Sequence, residues 1–329
     1  MKRRTALAVA LVTTLVVGVA ACGSGDDRSA GLDEVTVVLD WTPNTNHSGV
    51  YLADAEGWYR EAGLDVKIVE PGDVGALQLM VGGHADVAFS PQEELITTRA
   101  SGTPVVAVAA VIQHNTSSLL SLAATGIRGP GDLPGHTYGG FGGPLEQPLV
   151  SKLAQCGGGD PDQVRTAEVG DVDYRVGLER HQYDFVWIFD AWDKIRLEQE
   201  GVDVATIPFI EHTDCIPDWY TPMLATTEKE LDQRPEVLER FMRATRRGYQ
   251  GAMADPAAAA SALIDAVPEV DADLVRASAR YLATRYSEDP AEWGRQDARV
   301  WTRFAAFLRE AGMVDEEVDV DAAFTNDLL

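Results

Sequence analysis

The stretch Asp40-Trp41-Thr42-Pro43-Asn44-Thr45-Asn46-His47-Ser48-Gly49 sets an indole, two carboxamides and an imidazole within seven positions. An indole offers a π-face to a flat ring, and carboxamides both donate and accept hydrogen bonds. A second group, Phe89-Ser90-Pro91-Gln92-Glu93-Glu94, places Gln92 and Glu93 where acceptors for an exocyclic amine are wanted. The same letters also read as a helix start, with Ser90 as N-cap and Glu93 completing a capping box. The third stretch is His136-Thr137-Tyr138-Gly139-Gly140-Phe141-Gly142-Gly143-Pro144-Leu145-Glu146. Its glycines let backbone N–H groups turn towards a ligand, and Pro144 marks a helix start. The fourth, Trp187-Ile188-Phe189-Asp190-Ala191-Trp192-Asp193, joins two indoles to two carboxylates. Strand alternation puts Trp187 and Phe189 on one face and Ile188 on the other, so an aromatic wall beside Asp190 or Asp193 is expected. Together these residues suit a flat, nitrogen-rich small molecule.

Other chemistries lack their signatures. There is no G-x-S-x-G elbow, HExxH or CxxC, the glycine loop is not GxGxxG, and no Walker lysine follows it. The six histidines show no metal-ligand spacing, so neither a metal nor a cofactor is expected. Glu93, Glu146, Asp190 and Asp193 are the acids available for an acid–base pair, but a chain with 52 acidic residues brings carboxylates together by chance. No enzymatic activity is expected.

The four stretches share one kind of position. Val35 to Leu39, Asp65 to Glu70, 86–90 and 105–112 read as strands, with helical spacing over 47–62, 74–85 and 92–101. A second series follows, with strands at 136–141, 165–169, 185–189 and 204–210 and helices at 145–156 and 191–200. Beyond Tyr220 the chain reads as helices over 228–253, 256–266, 271–285 and 297–311, punctuated by Pro235, Pro256, Pro268 and Pro290. Alternating strands and helices imply parallel sheets covered on both faces. Ligands of such sheets bind beyond the carboxyl ends of strands, which is where all four stretches fall, the first running on to Tyr51.

With 329 residues, 45% of them hydrophobic, the chain has material for about two domains. Its formal net charge of −25 repels phosphate backbones and anionic leaflets, so no nucleic-acid partner is expected. Lys2, Arg3 and Arg4 precede an apolar run from Ala6 to Ala21, in the order of a secretory signal. Val19-Ala20-Ala21-Cys22 is similar to a bacterial lipobox, which makes Cys22 the expected lipidation site. Residues 1–21 are then a signal peptide and 22–33 a flexible tether, leaving the protein anchored to the cell membrane outside the cytoplasm. Export places Cys156 and Cys215 where a disulfide persists, and the sequence leaves paired and free thiols both open.

The segments LDWTPNTNHSGVYLADAEGWYREAGLDV, GALQLMVGGHADVAFS and GHTYGGFGGPLEQPLV resemble the NMT1/THI5-like solute-binding proteins, above all those for thiamine pyrimidine precursors. The resemblance implies a type II periplasmic-binding fold of two α/β lobes: lobe one from 34–124 and 223–329, lobe two from 125–222. It places Trp41, Asn44, Asn46 and His47 at a pyrimidine, Tyr138 to Gly142 (Gly139, Gly140 and Phe141 included) in a glycine loop, and Trp187, Trp192 and Asp193 on the far wall. It implies a monomeric carrier that delivers a small aromatic heterocycle, of formylaminopyrimidine or hydroxymethylpyrimidine type, to an ABC permease. Relatives of the same kind bind riboflavin, alkanesulfonates or taurine. The cysteine-rich motif of the family's eukaryotic pyrimidine-phosphate synthases does not occur here.

Overall fold

The computed structural model describes residues 31–329 except 73, 171, 316 and 317. The signal segment, Cys22 and nearly all of the tether lie outside the described residues. Ten strands follow along the described chain: β1 (Asp33–Val38), β2 (Leu64–Val69), β3 (Val87–Ser90), β4 (Val105–Ala110), β5 (Ser117–Leu122), β6 (Thr137–Gly140), β7 (Arg165–Glu168), β8 (Phe185–Phe189), β9 (Val204–Pro208) and β10 (Met223–Thr227). They form two five-stranded sheets, ordered β2-β1-β3-β10-β4 and β7-β6-β8-β5-β9. Each sheet is mixed. Four strands of each sheet run in one direction, and the fifth, β10 or β5, runs antiparallel between its neighbours.

Those two antiparallel strands enter immediately after the chain crosses between lobes. The first crossing is therefore 111–116 and not residue 124, because β5 belongs to the second sheet. The second crossing is 209–222. The two run side by side: Asp218 accepts from Asn115 N at 2.9 Å and pairs with His114 Nδ1 at 2.6 Å. Gln92 also ties to the second crossing, its N donating to the Tyr220 carbonyl and its Oε1 accepting from Tyr220 N.

One face of the first sheet, including Val35, Val37, Val87 and Phe89, packs under the helices Ser48–Ala55, Pro235–Ala254, Pro256–Ala266 and Ala272–Leu282. The opposite face joins Tyr138, Phe185 and Trp219 in a core that spans both lobes. A third cluster, with Leu120, Val186, Ile188 and Leu197, covers the far side of the second sheet. The expected helix over 47–62 is two, Ser48–Ala55 and Trp58–Glu61, because Gly57 takes a left-handed conformation at φ 73° between them. Cys156 and Cys215 form a disulfide with Cα atoms 6.0 Å apart, tying the end of helix Glu146–Cys156 to the second crossing. No helix among the described residues is long and apolar enough to cross a membrane.

Candidate functional site

A cleft of about 850 Å³ opens between the lobes at the carboxyl ends of β1, β3, β6 and β8. From the exit of β1 come Asp40, Trp41, Asn44 and Asn46, and from the exit of β3 come Glu93 and Glu94. Tyr138, Phe141 and Glu146 line it from the glycine loop, and Trp187, Phe189, Trp192 and Asp193 from the β8 end. The strand alternation expected at β8 holds: Trp187 and Phe189 face the cleft, while Ile188 is buried in the third core cluster.

Local bonding decides which groups remain free. Asn44 caps the Thr45–His47 turn, its Oδ1 accepting from Asn46 N and its Nδ2 donating to the Thr42 carbonyl. The Asn46 carboxamide makes no hydrogen bond among the described residues and is available in the cleft. His47 is fully buried and does not line the cleft. Its Nδ1 accepts from Asn44 N, so Nε2 carries the proton and donates to Asp40 Oδ1 at 2.8 Å. The imidazole expected at the ligand is thus a brace for the turn.

Five other expectations are corrected in the same way. Tyr51 is buried in the core of lobe one, where burial raises its pKa to about 12, with the Glu70 charge adding to the rise. Ser90 is not the N-cap, since helix Gln92–Ala100 starts one residue later with Pro91 in that place. Its hydroxyl donates to the Pro91 carbonyl and towards Glu94. Gln92 lies outside the cleft lining, its Oε1 accepting from Tyr220 N while its Nε2 is buried without a hydrogen-bond partner among the described residues. Asp190 is buried between Ser118, whose Oγ donates at 2.8 Å, and Tyr281 at 3.3 Å, and burial raises its pKa. Gly139 and Gly140 sit inside β6 and Gly142 in the turn after it, and none lines the cleft. Gly139 serves packing, since a Cβ there would fall 2.7 Å from the Tyr183 ring.

The glycine loop does not present its N–H groups to the cleft. Phe141 N and Tyr138 Oη donate to Glu146 Oε2 at 2.8 and 2.6 Å, and Gly142 N and Gly143 N donate to Glu146 Oε1. Glu146 therefore holds the loop's shape. Burial, then the Glu146 hydrogen bond, raises the Tyr138 pKa.

Electrostatically the cleft is acidic. Asp40, Glu93, Glu94, Glu146, Asp173 and Asp193 line it, against a single basic side chain among the described residues, Arg196. Arg196 is itself paired with Asp173 and Asp193. Glu93 Oε2 is enclosed with no hydrogen-bond partner among the described residues. Burial pushes the Glu93 pKa up to about 7, and the Glu94 charge adds to the rise. Burial also raises Glu94, while its Ser90 hydrogen bond opposes that shift.

Trp219, from the second crossing, lines the cleft and was not among the expected residues. It stacks on Phe304 at 5.2 Å and meets Trp187 edge-on at 6.0 Å. Tyr174, Thr221 and Met313 also line the cleft. They come from loops or short helices that no strand-end pattern marks.

The NMT1/THI5-like family model matches residues 44–259. The formylaminopyrimidine-binding protein of Halalkalibacterium halodurans is 28% identical over 92% of this chain and 92% of its own. A 4-amino-5-hydroxymethyl-2-methylpyrimidine phosphate synthase of Legionella pneumophila is 23% identical, covering 90% of this chain and 92% of that one. The riboflavin-binding protein RibY of Chloroflexus aurantiacus is 26% identical over 91% of this chain and 86% of its own. Among solved structures, the alkanesulfonate-binding protein SsuA of Xanthomonas axonopodis pv. citri superposes with a TM-score of 0.67 at 16% identity, covering 89% of this chain and 98% of that one. The fold is thus the two-lobed periplasmic-binding type, and the chain belongs to the NMT1/THI5-like family.

Proposed function

We propose that this protein is the extracytoplasmic solute-binding lipoprotein of an ABC importer and carries an aminopyrimidine precursor of thiamine. The ligand is of formylaminopyrimidine or hydroxymethylpyrimidine type. The observation that carries the reading is the pairing of indole walls with an acidic, partner-poor end in one cleft. Trp41 on one side and Trp187 and Trp192 on the other suit a flat ring, at about 0.5–1.5 kcal/mol per aromatic contact beyond burial. The Glu93 carboxylate accepts from the ring's exocyclic amine, and the Asn46 carboxamide meets a ring nitrogen or substituent. The similarity to a formylaminopyrimidine-binding protein over nearly the whole chain accords with this.

A sulfonate is disfavoured by the same cleft, which offers an anion no uncommitted cation among its described lining residues. The acyl chain on Cys22 anchors the carrier, which acts as a monomer and needs no cofactor. A carboxyl poised near pH 7 also suits a general base, and relatives named as synthases exist, so the test must read turnover directly. Native mass spectrometry of the purified protein is expected to find a bound aminopyrimidine that leaves chemically unchanged on denaturation. A bound sulfonate, or conversion of added pyrimidine to a new product, overturns the proposal.

A further inference from the structure

The Glu146 carboxylate occupies a place that would otherwise receive an anion. Successive backbone N–H groups at the start of a helix form a concave site of positive potential, the arrangement that commonly holds phosphate. Here Phe141 N, Gly142 N and Gly143 N lie just ahead of helix Glu146–Cys156 and converge on the two oxygens of Glu146, with the Tyr138 hydroxyl as a fourth donor. Glu146 is 8% exposed and lines the cleft. It satisfies the donors from within the chain, and the loop faces the cargo as a filled, negatively charged surface. Arg196 is flanked by Asp173 and Asp193 at 3.4 and 3.5 Å, so two carboxylates offset its charge, although its Nε has no hydrogen-bond partner among the described residues.

We infer that Glu146 is the charge-selecting residue of this cleft: by filling the loop's anion site it restricts the cargo to unphosphorylated, neutral or cationic heterocycles and rejects their phosphate esters. The inference deepens the proposed function and rests on it for the identity of the ring, though not for the charge rule. A phosphate dianion brought to the loop would find its donors taken and a carboxylate within a few ångströms. The cargo that reaches the cytoplasm is then a substrate for a phosphorylating reaction and not the product of one.

Calorimetry with hydroxymethylpyrimidine and its phosphate monoester tests the rule on the wild-type protein. The free alcohol is expected to bind at least about a hundredfold more tightly. Glu146→Gln removes the charge, keeps an acceptor for part of the loop, and should reduce that preference to about tenfold or less. Glu146→Ala opens the donors, and phosphorus NMR should detect inorganic phosphate bound to this variant and not to the wild type. If Glu146→Ala does not fold, as thermal melts would show, the wild-type and Glu146→Gln arms still decide the matter. If neither pyrimidine binds the wild type but Glu146→Ala gains phosphate, the charge rule stands and the proposed cargo falls. Equal binding of alcohol and ester by the wild type, or variants with unaltered preference and no phosphate binding, overturns the inference.

Discussion

Glu93 stands where the chain leaves β3, with one carboxylate oxygen enclosed and unpartnered among the described residues. The sign of its effect on stability follows from its raised pKa. The folded state holds the proton from the unfolded value near 4.5 up to about 7. Folded protein therefore binds more protons across that window, and stability falls as pH rises through it. Glu93→Gln should melt at a higher temperature than the wild type at pH 8 and at the same temperature below pH 4.5, read by thermal scans without ligand. The same variant should bind an aminopyrimidine more weakly, by about 1.5–3 kcal/mol, since an acceptor charge is lost. Trp41 makes a different test. At 38% exposure it is not a core residue, so Trp41→Ala should weaken binding by about one to a few kcal/mol with an unchanged melting temperature. A destabilised Trp41→Ala that still binds normally would place the indole in the core. Trp219, by contrast, is buried against Phe304, and its truncation should cost about 3–5 kcal/mol of stability. Residue types and strand-end position were enough to expect Trp41, Asn46, Glu93 and Trp187 in one cleft, which they line. They were not enough to see that Gln92 Oε1 and the Asp190 carboxylate turn to Tyr220 and to Ser118 and Tyr281, because those partners lie 72 to 128 positions away in the chain, nor that His47 braces its own turn through Asn44 and Asp40.

Most helices and the parallel strands were legible, because their apolar spacing and their glycine and proline punctuation are local. β5 and β10 were not. Ser117–Leu122 reads SSLLSL and Met223–Thr227 reads MLATT, short runs with no clean alternation. Each becomes a strand only because a sheet from elsewhere in the chain supplies both neighbours. Missing β5 is what displaced the expected lobe boundary to residue 124. Ser90 fails as a cap for a related reason: Pro91 takes the cap position, and the serine hydroxyl turns to the Pro91 carbonyl and Glu94. The Cys156–Cys215 disulfide joins a helix end to the second crossing across a separation of 59 residues. A loop of that length restricts the unfolded chain, so replacing both cysteines by serine should cost about 2–4 kcal/mol in denaturant unfolding. A cost near zero would mean that the crossing is held by the Gln92–Tyr220 and Asp218 contacts alone.

For the whole molecule, the two-lobed architecture was expected from family resemblance, and alternation along the chain independently indicated α/β layers. The lobes join through two crossings held together at Asp218. If Cys22 carries lipid, Cys22→Ser should move the protein from the membrane fraction to the released one; unchanged fractionation would remove the anchor from the account. Selection by the cleft of a flat amine-bearing ring over an anion can be read in a single calorimetric comparison at neutral pH. Purified protein is titrated in parallel with formylaminopyrimidine, riboflavin and taurine. Saturable one-to-one binding of the aminopyrimidine is expected, with taurine producing no heat of binding. Binding of taurine with no response to the aminopyrimidine would contradict that selection.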